Sequence, residues 1–329
     1  MSDTYLVIGG GGFIGRHLVT QLANSGANVR VLDLIEKPDD FPDKIDWITG
    51  SMLDPNMLAQ AMRGRDIVFH LAALAHLGIP QTHRYERVNT DGTRAVIKAA
   101  KTHNVRHLLI TSTEVILRDW REALNAALRV SDTLPDISAM AGPYCRSKLK
   151  AEIMAREAML SGQPISLLYP TVPIGPGDFN LTAPTAMIRQ FLKKPPPAAL
   201  DCRLNLVAVE DIAKAHILAA QQPAGQKYML GGEDIDLSEL LAWLAPFTSK
   251  TLPKRNVPYG LAALTAHIAR VGAKITGRAP LASLEGVRLA RRKVDIDNSQ
   301  TLSALGWQVG PSKDAVKKAA IWLKETGLL

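Results

Sequence analysis

The sequence predicts an α/β fold: a doubly wound parallel sheet with a smaller, interleaved C-terminal substrate lobe. Over about the first 170 residues, short apolar runs alternate with amphipathic helical patterns, and a glycine-rich turn joins the first run to the first helix. Such alternation is typical of parallel strands joined by crossover helices, with a ligand at the carboxyl ends of the strands. A chain of 329 residues that is 47% hydrophobic and 21% charged can bury the core that this fold needs.

Each element is predicted from its local pattern, in chain order. Strands are predicted at residues 5–8, 29–33, 46–49, 67–71, 105–111 and 165–169, with helices between them. After Pro170 the alternation weakens, and we predict strands at 204–209 and 227–230 and helices at 210–220 and 237–247. We therefore expect one domain of residues 1–170 and about 204–231, which carries the parallel sheet, and a substrate-binding lobe of about 171–203 and 232–329.

The turn after the first strand contains Gly9, Gly12 and Gly15. Glycines at this spacing let the backbone turn tightly and approach a pyrophosphate, while the free N–H groups of the new helix, at Phe13 and Ile14, face the anion. The pattern requires a strand before it and a helix after it, and the chain supplies both. It predicts a dinucleotide site in a Rossmann domain; the alternative is a merely flexible turn.

The second strand ends in Asp33, eighteen residues after Gly15. A carboxylate at about this spacing accepts hydrogen bonds from the ribose diol of NAD and repels the 2′-phosphate of NADP. NAD is therefore the favoured cofactor, while the nearby cations Arg16 and Lys37 leave NADP open. The alternative for Asp33 is a solvated residue at a strand end.

Composition excludes several classes of function. Cys145 and Cys202 provide neither a disulfide framework nor metal-ligand spacing, so we expect no metal and a reducing compartment. The chain shows no export segment and no apolar run of about 18 residues, so we expect a cytoplasmic protein. The net charge of +8 comes from scattered basic residues without interleaved aromatics, so we expect no nucleic-acid partner.

Two segments in the C-terminal part of the chain are each open to two interpretations. One is an ordinary role in the surface or core, and the other is contact with an anion or a lipid. The basic residues around 288–293 are typical of a solvated helix face, and the alternative is an anionic substrate group or lipid headgroup. Residues 259–274 are apolar on one helical face with cations toward the end. We expect this helix to pack within the lobe, and peripheral contact with a membrane surface is the alternative.

The chemistry is predicted from Tyr144 and Lys148, which are four residues apart and so lie on one helix face. A neighbouring cation, together with the positive nicotinamide, would lower the pKa of a phenol from its usual value near 10 toward neutrality. Such a phenol can act as an acid or base. The strand that ends at 111 delivers the hydroxyls of Ser112 and Thr113 to the same edge of the sheet.

These landmarks, in this order, resemble the extended short-chain dehydrogenase/reductase family over nearly the whole chain. The resemblance also includes the motifs His70-Leu71-Ala72-Ala73, Asn89-Thr90-Asp91-Gly92-Thr93, Gly175-Pro176-Gly177 and Leu305-Gly306-Trp307. It implies a nicotinamide cofactor, Tyr144 as the proton-transferring residue and Lys148 on the nicotinamide ribose. It also implies a hydroxyl that binds the substrate oxygen, which a gapless alignment on Val115 assigns to Ser112. Strand alternation would then turn Thr113 to the opposite face.

The same resemblance implies further contacts. It assigns to cofactor binding Leu71, Ala72, Ala73, Asn89, Pro170 and Val172, and it places Ser51 and Met52 near the adenine, where the family often has an aspartate before an aliphatic residue. Candidate substrate contacts are His76, Thr113, Thr171 and Arg189. A homodimer through the helices near 86–103 and 142–161 is also implied, with a monomer left open.

Two positions bear on the substrate. Sugar-nucleotide enzymes of this family usually carry Asn at Val172 and a diphosphate-binding Arg at Leu204, and both are aliphatic here. Residues 169–176 are similar to dihydroflavonol reductases and 3β-hydroxysteroid dehydrogenases, and the overall likeness includes the group of hopanoid-associated sugar epimerases. We therefore expect an NAD(P)-dependent oxidoreductase that interconverts a secondary alcohol and a ketone on an apolar or lipid-linked small molecule. The alternatives are a nucleotide-sugar epimerase or dehydratase and a non-catalytic dinucleotide-binding sensor.

Overall fold

The computed structural model describes residues 3–276 and 283–329. Its strands are β1 (Thr4–Ile8), β2 (Asn28–Asp33), β3 (Asp46–Thr49), β4 (Ile67–His70), β5 (His107–Thr111), β6 (Ile165–Pro170), β7 (Val172–Ile174), β8 (Ala199–Leu200), β9 (Arg203–Ala208), β10 (Lys227–Leu230), β11 (Glu233–Asp236) and β12 (Asn256–Val257). Its helices are α1 (Phe13–Asn24), α2 (Pro55–Met62), α3 (His83–Tyr85), α4 (Gly92–Thr102), α5 (Pro143–Leu160), α6 (Ala183–Lys193), α7 (Val209–Ala220), α8 (Leu237–Leu244), α9 (Tyr259–Thr276), α10 (Leu284–Leu289), α11 (Ser299–Leu305) and α12 (Ser312–Glu325).

The large sheet has seven parallel strands in the order β10-β6-β5-β4-β1-β2-β3. Its two faces are covered by different helices, as the alternation along β1 illustrates: Leu6 and Ile8 enter one hydrophobic cluster and Val7 enters the other. Helices α2, α4 and α5 pack on the first face, and α1 and α7 pack on the second. The predicted doubly wound parallel sheet is confirmed, and the carboxyl ends of its strands meet at the edge that carries the glycine turn.

A second sheet lies beyond the end of β6. Its three strands are in the order β11-β9-β7, with β9 parallel to β7 and antiparallel to β11. Helices α6, α8 and α12 cover it through a third hydrophobic cluster. Strand β9, which the sequence groups with the first domain, therefore pairs in the smaller sheet, whereas β10 joins the large one. The division of the chain into two domains remains a prediction.

Most predicted elements lie within a residue or two of those observed. The strands at 46–49 and 227–230 have the predicted bounds, and the strand predicted at 67–71 ends at His70. The helix predicted at 237–247 ends at Leu244 and continues as a 3-10 turn over Ala245–Phe247. Helices α3 and α4 are joined by a π-helical stretch, Glu86–Asp91, a geometry that is frequent at functional sites.

Helix α9 contains the amphipathic segment predicted at 259–274. Leu261, Leu264 and Ile268 are exposed at helical spacing, so part of its apolar face is not packed within the lobe. The cations toward its end, Arg270 and Lys274, have side chains outside the described residues. Within the described parts of the chain, no helix is both long and apolar enough to cross a membrane.

Candidate active site

The glycine turn has the geometry of an anion cradle. Gly9 has a φ of +88°, and a Cβ there would lie 2.6 Å from the backbone nitrogen of Ala72. A Cβ at Gly15 would lie 2.1 Å from the Gly9 carbonyl oxygen, so helix α1 can approach the turn only without a side chain at this position. Gly12 brings no capping side chain to α1, and the N–H groups of Phe13 and Ile14 therefore lie at an uncapped helix start. The residues present fit a dinucleotide pyrophosphate.

Asp33 lies beside this turn at the end of β2. One carboxylate oxygen accepts a hydrogen bond from the Gly11 N–H at 2.8 Å, which fixes the acid next to the predicted ribose position. The two cations that left NADP open are engaged elsewhere. Arg16 pairs with Asp40 at 2.7 Å, and Lys37 lies against the Pro42 carbonyl oxygen at 3.4 Å. The described contacts therefore favour NAD.

The side-chain amide of Asn89 joins the segment after β4 to helix α5. Its Oδ1 accepts from the Leu74 N–H at 2.7 Å, and its Nδ2 donates to the Leu74 carbonyl oxygen at 3.2 Å and to Ser147 Oγ at 2.9 Å. The amide thus holds the segment after β4 against helix α5. The N–H groups of Leu71 and Ala72 both donate to the Ile8 carbonyl oxygen at 2.9 Å, which keeps this segment close to β1.

The residues predicted near the adenine contribute differently. Ser51 Oγ accepts a hydrogen bond from the Leu53 N–H at 3.1 Å, so its hydroxyl shapes the turn before α2. Met52 is buried in the core, and a Cβ at Gly92 would lie 2.4 Å from its terminal methyl. Pro170 ends β6 and Val172 begins β7, where the chain passes from the large sheet to the small one, and Ala73 is exposed. Their predicted contacts with the cofactor stay predictions.

Helix α5 places Tyr144 and Lys148 one turn apart at the carboxyl end of β5. Lys148 Nζ donates to the Thr111 carbonyl oxygen at 2.8 Å, and burial lowers the pKa of the amine to about 8. Burial is also the main influence on Tyr144 and raises the pKa of its phenol well above 10. The electrostatic influence of Cys145, Glu114 and Glu285 raises the pKa further, and the hydroxyl of Thr113 lowers it. In the protein itself, Tyr144 is therefore a protonated acid.

The Thr113 hydroxyl interacts with this phenol and lowers its pKa, whereas the role expected of Ser112, binding the substrate oxygen, stays a prediction. Ser112 Oγ donates to Glu152 Oε2 at 2.8 Å on the other side of the strand end. Adjacent residues of an extended chain face opposite ways, so the two hydroxyls lie on different sides of the chain. Thr113 has extended backbone, with φ −163° and ψ 147°, immediately before the 3-10 turn Glu114–Ile116, and this carries its side chain toward Tyr144.

Glu152 lies at the centre of a buried network on the Ser112 side. Its Oε1 accepts from the Tyr169 hydroxyl at 2.5 Å and from Arg156 Nε at 2.8 Å, in addition to the bond from Ser112. Each oxygen of the buried carboxylate therefore has a donor, and a cation balances its charge. This network holds helix α5 against β5 and β6.

Two of the candidate substrate contacts bind other parts of the chain, and their predicted roles stay predictions. Thr171 Oγ1 donates to Asn205 Oδ1 at 2.8 Å, between β7 and β9. Arg189 donates to the Leu328 carbonyl oxygen near the C-terminus. His76 is exposed, and its Nε2 lies 2.7 Å from the Asn180 carbonyl oxygen, so its role stays a prediction. His70 is buried against Thr93 Oγ1 at 3.0 Å, consistent with a structural residue.

Three charged residues near Tyr144 were not anticipated. Glu114 Oε2 is buried without a hydrogen-bond partner among the described residues, and burial raises the pKa of this carboxyl to about 7. Arg118 donates to the Leu289 carbonyl oxygen at 3.2 Å. Glu285 accepts hydrogen bonds from the N–H groups at the start of α5. Glu114 directly follows the hydroxyl pair and could have been suspected, but no local pattern identifies Glu285.

Comparison with known proteins decides the family. The family model described as "NAD dependent epimerase/dehydratase family" matches residues 5–231, which include the glycine turn, Asp33, Tyr144 and Lys148. The chain belongs to this family. The extended short-chain dehydrogenase/reductase resemblance and the NAD prediction are confirmed at this level, and the chain is a member of an enzyme family.

Individual relatives align with nearly the whole of this chain. It is 31% identical over 334 residues to a putative dihydroflavonol 4-reductase of Synechocystis sp., covering 99% of this chain and 96% of that one. It is 24% identical over 336 residues to sterol demethylase protein B of Methylococcus capsulatus, covering 99% and 100%. The crystal structure of gox2253 has the same fold, with a TM-score of 0.83, 27% identity and 99% coverage of both chains.

In the described parts of this family member, no group of three or more His, Cys, Asp or Glu side chains could hold a metal ion.

Proposed function

We propose that this protein is an NAD-dependent oxidoreductase that interconverts a secondary alcohol and a ketone on a mostly apolar or lipid-linked molecule. The observation that carries the proposal is the convergence of three groups at the carboxyl end of β5. The Tyr144 phenol lies beside the Thr113 hydroxyl, and the Lys148 amine lies one helical turn away with its Nζ 2.8 Å from the Thr111 carbonyl oxygen. The glycine turn lies at the same edge of the sheet.

Each group has a distinct task. Thr113 donates a hydrogen bond to the substrate oxygen, and Tyr144 takes the proton of the alcohol in the oxidative direction and returns it in the reductive one. NAD, when bound, supplies the acceptor for the hydride of the carbinol carbon. The oxidised alcohol thus loses a hydride and a proton and becomes a ketone, and the proton leaves through Tyr144.

Because burial raises the pKa of Tyr144, its phenol needs a nearby cation to ionise near neutral pH. Lys148 is the nearest cation on its own helix face, and its amine, with a pKa lowered to about 8, still carries a proton at neutral pH. This ammonium is suited to hold the ribose of the cofactor and to stabilise the phenolate. The Asn89 amide fixes the loop against α5, so Tyr144 and Lys148 are held before substrate arrives.

An apolar substrate is supported by the lining of the second sheet. Val172 and Leu204 are aliphatic at the positions where a diphosphate would need polar partners. The adjacent cation, Arg203, is paired with Asp295 at 2.6 Å and lies 3.5 Å from Asp236. A diphosphate would have to break these pairs or be desolvated without a cation, which is costly. The names of the reductase and sterol-metabolising relatives agree with an alcohol of low polarity.

A nucleotide-sugar epimerase or dehydratase is the second candidate, favoured by the family's own description. It would use the same three groups but return the hydride to the substrate. A dinucleotide-binding sensor is disfavoured because it has no use for the arrangement of Thr113, Tyr144 and Lys148. Net accumulation of NADH separates the oxidoreductase from the epimerase.

The test is a scan of NAD reduction across sterols, cyclic terpenoid alcohols, hydroxyacyl compounds and UDP-glucose. We expect NADH to accumulate with at least one apolar secondary alcohol and not with UDP-glucose. Tyr144→Phe should abolish this turnover while leaving the affinity for NAD, measured by calorimetry, within about twofold, because the phenol acts on the proton. An undiminished rate in this variant would remove the mechanism.

A further inference from the structure

Helix α10 meets the start of helix α5 through one carboxylate. Glu285 is only 4% exposed, and its Oε1 accepts a hydrogen bond from the Cys145 N–H at 2.8 Å. Its Oε2 accepts from the Tyr144 N–H at 3.3 Å. A residue far along the chain thus binds the backbone of the residue that carries the phenol, and of its neighbour.

The start of α5 is built to receive this carboxylate. The first N–H groups of a helix lack intrahelical partners, and a negative charge there is stabilised by the helix dipole. The residue before the helix is Gly142, which has no side chain with which to cap it. A Cβ at Gly142 would lie 2.4 Å from the carboxyl carbon of Glu285, so a residue with its own capping side chain would displace this contact.

Helix α10 is itself fixed at the same place by further bonds. Ser283 Oγ accepts from the Gly286 N–H at 3.0 Å and caps the helix. Arg288 Nη1 donates to the Ala141 carbonyl oxygen at 2.8 Å, and Arg118 Nη2 donates to the Leu289 carbonyl oxygen at 3.2 Å. Glu285 is therefore held rigidly, and it holds α5 in turn.

We propose that Glu285 is a positioning residue, which fixes the backbone of Tyr144 at the start of α5 and adds a buried carboxylate to the surroundings of its phenol. The inference depends on the proposed function only in making Tyr144 the proton-transferring group. Through Glu285, a part of the chain outside the Rossmann sheet holds the backbone of that residue in place and contributes to the charge around it.

The phenol faces charged and titratable groups from each element packed around it. Cys145, Glu114 and Glu285 raise the pKa of Tyr144 in addition to burial, and Thr113 lowers it. The Tyr85 ring contacts the Tyr144 ring edge-on with centroids 6.2 Å apart. The cations described in this region include Arg118 beside Glu114 and Cys145, Arg146 beside Glu285, Lys148 on the next turn, and Arg288 at the Ala141 carbonyl oxygen.

Three substitutions separate the capping bond from the charge. Glu285→Ala removes both, Glu285→Gln removes the charge while keeping one acceptor and the size, and Glu285→Asp is the conservative variant that should rescue part of the effect. The matched control is Asp236→Ala, which removes a carboxylate that caps α8 away from Tyr144. Any general loss of stability should be common to the control and the Glu285 variants.

Two measurements need no substrate. Hydrogen exchange monitors the amides of Tyr144 and Cys145 in the full-length protein with NAD. Ultraviolet absorbance of the phenolate, taken as the difference from the same protein with Tyr144→Phe, gives the pH midpoint of Tyr144 ionisation. A third measurement is the pH profile of the rate with whichever alcohol gives the highest turnover in the scan.

We expect Glu285→Ala to increase exchange at these two amides by about tenfold, as the loss of a helix cap predicts. Glu285→Gln should move the Tyr144 midpoint to lower pH, since a nearby negative charge is gone. Asp236→Ala should change neither quantity. Unchanged exchange in Glu285→Ala, or a midpoint that stays in place in Glu285→Gln, overturns the proposal. Failure of the alcohol scan overturns the proposed function alone, because the first two measurements do not involve substrate.

Discussion

Thr113 and Ser112 provide the sharpest test of the active-site geometry. The two hydroxyls are adjacent in sequence but face opposite sides, with Thr113 beside the Tyr144 phenol and Ser112 on Glu152 at 2.8 Å. Thr113→Val keeps the shape of the side chain and removes its hydroxyl. Ser112→Ala removes the other hydroxyl and serves as the matched control.

The expected effects differ in kind. A donor aimed at a developing oxyanion is worth about 3 kcal/mol, so Thr113→Val should lower kcat about 100-fold. Ser112→Ala removes one bond to a carboxylate, which costs about 2 kcal/mol of stability. Glu152 keeps its bonds from Tyr169 and Arg156, so kcat should stay within about threefold of the parent value.

The assay combines initial rates of NADH formation with thermal unfolding of each variant. Rates are measured well below the unfolding transition, so lost activity is not confused with lost structure. A 100-fold loss in Ser112→Ala together with a near-normal rate in Thr113→Val would refute the assignment. That result would instead favour Ser112, the residue that the gapless alignment assigns.

Three further predictions follow from buried charge and exposed apolar surface. The pKa of Lys148 is lowered to about 8, so between pH 8 and 10.5 the unfolded chain binds a proton at this residue and the folded chain does not. The free energy of unfolding of the parent, relative to that of Lys148→Met, should therefore rise over this window by up to roughly 3 kcal/mol. A difference in urea unfolding that does not change with pH contradicts this prediction. Arg156→Met removes the cation that pairs with buried Glu152 and should lower the free energy of unfolding in urea by about 3 kcal/mol. Arg94→Met, at an exposed ion pair, should lower it by under about 1 kcal/mol. Equal losses in the two variants would contradict the role of burial. Leu264→Asp on the exposed face of α9 should weaken cosedimentation of the protein with phosphatidylglycerol vesicles. The control is Leu160→Asp, at a side chain on α5 that is 89% exposed, and it should leave cosedimentation unchanged. Equal binding by both variants would exclude α9 as a membrane contact.

The fold could be predicted well because its signals are local. The strands of the large sheet are short apolar runs between turns, and Asp46–Thr49 and Lys227–Leu230 match their predicted bounds. The partner of a strand is not a local property, so the sequence does not indicate that β9 pairs in the smaller sheet. Its pairing with β7 and β11 depends on where the chain goes after Pro170.

The active site could be predicted in part for the same reason. The four-residue spacing puts Tyr144 and Lys148 on one helix face, and their expected roles come from the family resemblance, while the glycine turn follows from its flanking strand and helix. The choice between Ser112 and Thr113 depends on the backbone at a strand end, where a shift of one residue reverses the direction of a side chain. Glu285 binds α5 from about 140 residues away, and no periodicity indicates such a contact.

The central claim is a net transfer of hydride from an apolar secondary alcohol, governed by Tyr144. The most direct measurement uses the best alcohol of the scan with deuterium on its carbinol carbon and follows the label by mass spectrometry. We predict that the label accumulates in NADH, that the ketone forms in equal amount, and that Tyr144→Phe blocks both. Return of the label to the organic product without accumulation of NADH would contradict the account and indicate an epimerase.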